Sequence, residues 1–212
     1  MARVTLQDTT STEDPDPAVD RALVLDRLDA SIAAKAAMRD SILIDQVVDV
    51  ARAIVDSLRA GGKTIFFGNG GSSMDAGHLS AELMGRFAYD RPPLASLSLP
   101  DATAAVTAIG NDYSYAEVFS RQLLGIGKPG DVAIGLTTSG TSANVVQALQ
   151  AARDAGMITV SLTGSRGGDV AAVSDHCLAV PSDVTARVQE ACLHLGHSIC
   201  EIVEATMFPR PR

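Results

Sequence analysis

His78 and Glu82 are the first residues whose types and spacing suggest chemistry. They stand four apart in a stretch of helical pattern, so an imidazole and a carboxylate share one face. Such a pair suits a divalent metal or acid/base work. It is also an ordinary exposed helix pair, worth roughly 0.2–0.5 kcal/mol and nothing more. The segment in front of it sharpens the question. Lys63 to Phe67 is a short apolar run that reads as a buried strand, and Gly68-Asn69-Gly70-Gly71-Ser72-Ser73 follows with almost no side-chain bulk. From Met74 the pattern is helical. A strand, a glycine-rich turn and a helix N-terminus make an anion site, because the backbone comes close and the first-turn N–H groups and helix dipole favour negative charge. Glycine turns after strands also serve merely to close a turn, so the loop alone leaves both readings open.

A second loop repeats the arrangement. The apolar run Val132–Leu136 leads into Thr137-Thr138-Ser139-Gly140-Thr141-Ser142-Ala143-Asn144, and a helical pattern then runs to about Ala155. Hydroxyls cap helices well, which accounts for one or two of these residues. The rest of the run is suited to donating to phosphate oxygens. The last helical stretch adds Gln189, Glu190, His194 and His197. Gln189 and His197 are eight apart, about 80° in phase and about 12 Å in rise, a span that only a long amide and an imidazole can bridge. By spacing alone His194 with His197 is the more natural ligand pair, and periodicity does not choose between them.

These residues need a scaffold, and the composition bounds it. The 212 residues suffice for one domain with a sizeable core. A net charge of −8 argues against a nucleic-acid partner. It leaves room for a small phosphorylated ligand held by local N–H groups. Cys177, Cys192 and Cys200 are odd in number and late in the chain, unlike a disulfide framework, and the latter two read as buried apolar residues in a helix. With no secretory pattern and no apolar run of membrane-spanning length, the expectation is a cytoplasmic chain without a membrane partner.

Residues 1–16 read as a polar, proline-interrupted flexible tail, and 17–208 as one domain. Residues 17–60 carry two helices with more apolar surface than one sheet face needs, the surplus suiting subunit packing; Gly61-Gly62 ends the second. Further strands are expected at Leu94–Leu99, Met157–Leu162 and His176–Val180. A short helix is expected from an Asp101 cap to Ala108, a turn at Gly110-Asn111-Asp112-Tyr113, a helix from Tyr115 to Leu124, and a last helix at 186–206. Strands alternating with helices imply a parallel sheet covered on both faces, with ligands at the carboxyl ends of its strands. No G-x-G-x-x-G follows a strand and opens a helix, since Gly125 to Gly130 comes before a strand, and no P-loop lysine follows the glycines, so dinucleotide and nucleoside triphosphate sites lack their usual support.

The long motifs GNGGSSMDAGHLSAELMGRF at 68–87, AIGNDYSYAEVFSRQL at 108–123, TTSGTSANV at 137–145, GMITVSLTG at 156–164 and VQEACLHLGHSICEIVE at 188–204 carry a closer likeness. From about residue 20 to 208 the chain resembles phosphoheptose isomerases, the sedoheptulose 7-phosphate isomerase branch of the SIS (sugar isomerase) domain family. The resemblance implies a three-layer α/β/α sandwich with a five-stranded, parallel, flavodoxin-like sheet and extra N-terminal helices. It implies a homotetramer with shared active sites and a sugar-phosphate substrate. It places one zinc per subunit on His78, Glu82, Gln189 and His197, which sets His194 aside. It places substrate contacts on Asn69, Gly70, Gly71, Ser72, Glu82, Arg86, Asn111, Asp112, Thr137, Thr138, Ser139, Ser142 and Gln189, with Arg86 reaching a neighbouring site. The family usually has Ser at Thr137 and His at Cys192, and His194 falls where His is not usual.

The implied reaction turns sedoheptulose 7-phosphate into D-glycero-D-manno-heptose 7-phosphate through an enediolate. Glu82 is expected to move the proton between C1 and C2, and His197 to move hydroxyl protons. Two other readings compete. One is a non-catalytic sugar-phosphate-binding SIS module, which would keep both loops but has no need of His78, Glu82 and His197 together. The other is an isomerase of a related heptose phosphate.

Overall fold

The computed structural model describes residues 17–210. The expected tail at 1–16 lies outside the described residues. Helix α1 (Pro17–Arg39) opens on proline, whose missing N–H costs nothing at a first helical position. Helix α2 (Leu43–Arg59) buries Val47, Val50, Ala51, Ile54 and Val55 on one stripe. By contrast α1 buries only Ala34 and Met38, and leaves Leu23, Val24, Leu28 and Ile32 more than half exposed.

Five strands form one parallel sheet: β1 (Thr64–Gly68), β2 (Ser96–Ser98), β3 (Val132–Leu136), β4 (Ile158–Thr163) and β5 (His176–Ala179), in the order β2-β1-β3-β4-β5. Every residue of β1 and β3 is buried, as a sheet covered on both faces requires. Helices α2, α3 (Gly71–Met84) and α7 (Thr185–Met207) close one face around Ile54, Phe66, Leu79, Ile134 and Leu195. Helices α5 (Ser120–Ile126) and α6 (Ala143–Asp154) close the other around Phe67, Phe119, Leu123 and Leu149. The strand order reverses between β1 and β3, and there Gly68 pairs in register with Leu136. The two candidate loops therefore rise side by side at the switch point, where an open α/β sheet offers its crevice.

The local differences from expectation have physical causes. Helix α3 starts at Gly71 rather than Met74, because Gly70 takes φ 55°, a turn open to glycine, and sends the chain straight into the helix. The expected turn at 110–113 is helix: α4 (Thr103–Asp112) absorbs Gly110 and continues until Tyr113 N–H reaches Ile109 O at 3.0 Å. Asp101 is no cap; it ends a 3-10 turn (Leu99–Asp101), and Ala102 stands at the N-cap without a side-chain bond. The helix expected at 115–124 divides into a 3-10 turn (Tyr115–Glu117) and α5, with Val118 and Phe119 between them, both buried and both still helical in backbone. No helix among the described residues is long and apolar enough to cross a membrane.

Candidate active site

Helices α3 and α7 pack tightly where Gly196 meets Leu79: a Cβ on Gly196 would lie 2.6 Å from a Leu79 methyl. That approach brings His197 to His78. Their Nε2 atoms are 2.8 Å apart, and the rings stand edge to face at 5.0 Å. A proton on one of the two facing nitrogens satisfies that contact. Glu82 Oε1 lies 3.4 Å from His78 Nε2, and one ligand atom from each of the three residues falls within 4.8 Å of the others. The Phe87 ring backs His197 at 5.7 Å. Burial, helped by the neighbouring His78, holds the His197 pKa below its ordinary value, with Glu82 pulling the other way. His197 is therefore a neutral imidazole at neutral pH. Two imidazoles and a carboxylate converging in this way are a donor set that zinc takes.

The other residues of α7 divide. His194 is exposed and stands outside this group, so the pairing that spacing favoured gives way to His197 with His78. Three residues carry it about 60° round the helix from His197. Gln189 turns to α3, its Nε2 donating to Asp75 Oδ2 at 2.8 Å. Cys192 is buried, and its thiol is pushed up to about 12, chiefly by burial and further by Asp75.

At the switch point the loops are tied together. Asn69 and Asn144 exchange amide hydrogen bonds of 2.8 and 2.9 Å, and the Tyr115 hydroxyl donates to Asn69 Oδ1 at 3.0 Å. In the first loop the N–H groups of Ser72 and Ser73 turn back to the carbonyls of Asn69 and Gly70. That leaves fewer first-turn donors than the bare motif promised. In the second loop the hydroxyls knit to one another: Thr137 to Ser142 at 3.0 Å and to Ser139 at 3.4 Å, with Thr141 donating to Ser139. Ser142 stands at the N-cap of α6 but makes no side-chain cap. Val145 N–H turns back to Ser142 O at 3.0 Å, which leaves the N–H groups of Ala143 and Asn144 for an anion. Gly140 holds φ 73° where a Cβ would lie 2.3 Å from Gly167 O. Thr138, Ser139, Gly164, Arg166, Asp183 and Thr185 line a cleft of about 90 Å³ beside it. Gly68, Asn69, Gly70 and Tyr115 share a cleft of about 170 Å³. A groove of about 560 Å³ along α6 holds none of the His–Glu–His group.

Arg86, Asn111 and Asp112 are exposed and are not drawn into that group. Asn111 donates to Asp112 at 2.8 Å, and Arg86 has no hydrogen bond or ion pair among the described residues.

Four supporting residues were passed over in the sequence: Asp75, Asn144, Arg91 and Glu204. The Arg91 guanidinium donates to the carbonyls of Glu82, Leu83, Gly85 and Pro92 and, through Nε, to Glu204 at 3.0 Å. Glu204 also accepts the N–H groups of Phe87 and Ala88 at 2.8 and 2.7 Å. Burial pushes its carboxyl up, but the two N–H groups and Arg91 outweigh it and hold the pKa below the usual value. The end of α3 that carries Glu82 is thereby pinned to α7. An Arg and a Glu 113 residues apart gave no local sign of this.

Fold and site define an α/β domain with a His–Glu–His group beside anion-suited loops at a switch point. Residues 30–164 match the family model described as SIS domain. The chain is 52% identical over 160 residues to the phosphoheptose isomerase of Paramagnetospirillum magneticum, covering 76% of this chain and 83% of that one. It is 45% identical over 185 residues to that of Roseiflexus, covering 87% and 93%. The solved phosphoheptose isomerase of Neisseria gonorrhoeae superposes with TM-score 0.82 at 38% identity, over 87% of this chain and 98% of that one. The chain belongs to the SIS-domain family, in its phosphoheptose isomerase branch.

Proposed function

We propose that this chain interconverts sedoheptulose 7-phosphate and D-glycero-D-manno-heptose 7-phosphate in heptose biosynthesis, as an aldose–ketose isomerase. The observation that carries the reading is the meeting of His78, Glu82 and His197 within 4.8 Å, on helices that flank the switch-point loops. Ketose-to-aldose conversion needs one base to carry a proton between adjacent carbons and a second group to move a proton between their oxygens. Glu82 takes the proton from C1 and returns it to C2. His197, neutral at neutral pH, accepts the hydroxyl proton at one oxygen and delivers it at the other. Thr137, Thr138, Ser139 and Ser142, with the uncapped N-terminus of α6, grip the phosphate. Asn69, Gly70, Gly71, Ser72 and Gln189 hold the sugar.

His78, Glu82, Gln189 and His197 would hold one zinc ion, which when bound polarises the sugar oxygens and stabilises developing negative charge. The reading extends to a cytoplasmic homotetramer built on one domain at 17–208. The exposed apolar stripe of α1 supports assembly, Arg86, which is exposed, would reach a neighbouring site, and Asn111 and Asp112 would contact the substrate.

The test is proton exchange. Purified protein is incubated with sedoheptulose 7-phosphate in heavy water and the sugar is followed by NMR. Appearance of the aldose, carrying deuterium at C2 where the abstracted proton exchanges with solvent, is expected. An unchanged ketose at high protein concentration, with zinc supplied, overturns the assignment.

A further inference from the structure

We infer that Asp75 is a positioning residue that fixes which end of Gln189 faces a bound cation. The inference rests on the reading of this site as a metal-assisted one. Asp75 lies on α3, three residues before His78 and seven before Glu82, so the three share a face towards α7. Gln189 Nε2 donates to Asp75 Oδ2 at 2.8 Å. An ionised carboxylate only accepts hydrogen bonds, so the amide nitrogen must be the end that faces it. Gly71 backs the amide on another side: a Cβ there would lie 2.5 Å from Nε2 and 2.9 Å from Oε1. Gln189 Oε1 accepts no hydrogen bond among the described residues. One end of the amide is thus engaged and the other is left with its lone pairs.

That end is the useful one. A cation binds an amide through oxygen; the NH₂ group has only donors to offer. The terminal torsion of a glutamine is broad and roughly two-fold, so an untethered Gln189 would present nitrogen as readily as oxygen. Asp75 removes that ambiguity without touching the cation. Partners of this kind typically tune affinity 10- to 100-fold when lost.

The experiment measures zinc affinity of the full chain by competition with a chromogenic chelator, for wild type, Asp75→Ala, Asp75→Asn, Gln189→Ala and the Asp75→Ala/Gln189→Ala double variant. Asp75→Ala is expected to weaken zinc about 10- to 100-fold. Asp75→Asn can donate as well as accept, so it no longer dictates which end of the amide meets it and is also expected to weaken zinc. Asp75→Ala should add nothing to Gln189→Ala, because the two act through one group. Wild-type affinity in Asp75→Ala overturns the inference, including where its chelated form melts lower, since that marks Asp75 as a brace of the fold. A further loss when Asp75→Ala is added to Gln189→Ala also overturns it, by making the carboxylate itself a ligand. A wild type that isomerises the sugar but binds no zinc sinks this inference and leaves the proposed activity standing. A wild type that binds zinc without turnover sinks the activity, and the affinities still judge Asp75.

Discussion

Arg91→Ala is the sharpest test of how the site is held. The side chains of Arg91 and Glu204 are each 1% exposed. Truncation removes the charge partner of Glu204 and the donors to four carbonyls around the end of α3. Glu204 keeps only its two backbone N–H partners inside the core. Breaking a buried pair by removing one member costs about 3–5 kcal/mol. For a chain of this size each kcal/mol moves the melting temperature by about 2–4 °C, so the expected drop is about 6–20 °C. Thermal unfolding followed by circular dichroism measures it, at one fixed protein concentration because the midpoint of any protein that assembles depends on concentration. The pH dependence supplies a second check. The folded Glu204 pKa lies below the unfolded value of 4.5, so its contribution is present above 4.5 and is lost as the pH falls through the folded value. The gap between wild type and Arg91→Ala should therefore narrow on acidification below pH 4.5. An Arg91→Ala midpoint within about 2 °C of wild type at neutral pH would refute the reasoning, since it corresponds to about 1 kcal/mol or less.

Glu82→Gln should lower turnover by about 10²- to 10⁴-fold, while calorimetry still detects sugar-phosphate binding; turnover near wild type removes Glu82 as the proton carrier. Because the His197 pKa is lowered, the acid limb of kcat/KM should be centred below pH 6.5; an acid limb centred above 6.5 contradicts the assignment. Gly140→Ala puts a side chain at φ 73° and 2.3 Å from Gly167 O. A loss of about 1–3 kcal/mol by urea unfolding and a raised KM for the phosphorylated sugar are expected, and an unchanged KM would detach this loop from phosphate binding.

The parallel sheet was legible because β1 and β3 are unbroken apolar runs followed by glycine and hydroxyl loops, a pattern that few other arrangements produce. His78 and Glu82 were legible because they share one helix. His197 against His194 was not: periodicity gives the phase of α7, but the face it shows to α3 is set by Gly196 seating on Leu79, a contact between distant segments. Asp75, Asn144, Arg91 and Glu204 escaped for the same reason, since each matters through a partner more than 70 residues away or across a helix end. The short elements between 99 and 126 were misplaced because Gly110 and Asp101 read as a turn and a cap, while the helix runs through the first and the second ends a 3-10 turn.

Helix α3 is anchored at both ends, by the Gly70 turn and Asp75–Gln189 at its start and by Arg91 at its finish. One residue added or removed between Asp75 and Glu82 would swing the carboxylate about 100° and shift it about 1.5 Å, with neither anchor able to follow. This helix is therefore closed to length change. New substrate ranges on this scaffold must come by exchanging side chains along it, or by lengthening loops elsewhere, so insertions that survive selection or engineering will be found outside residues 75–82.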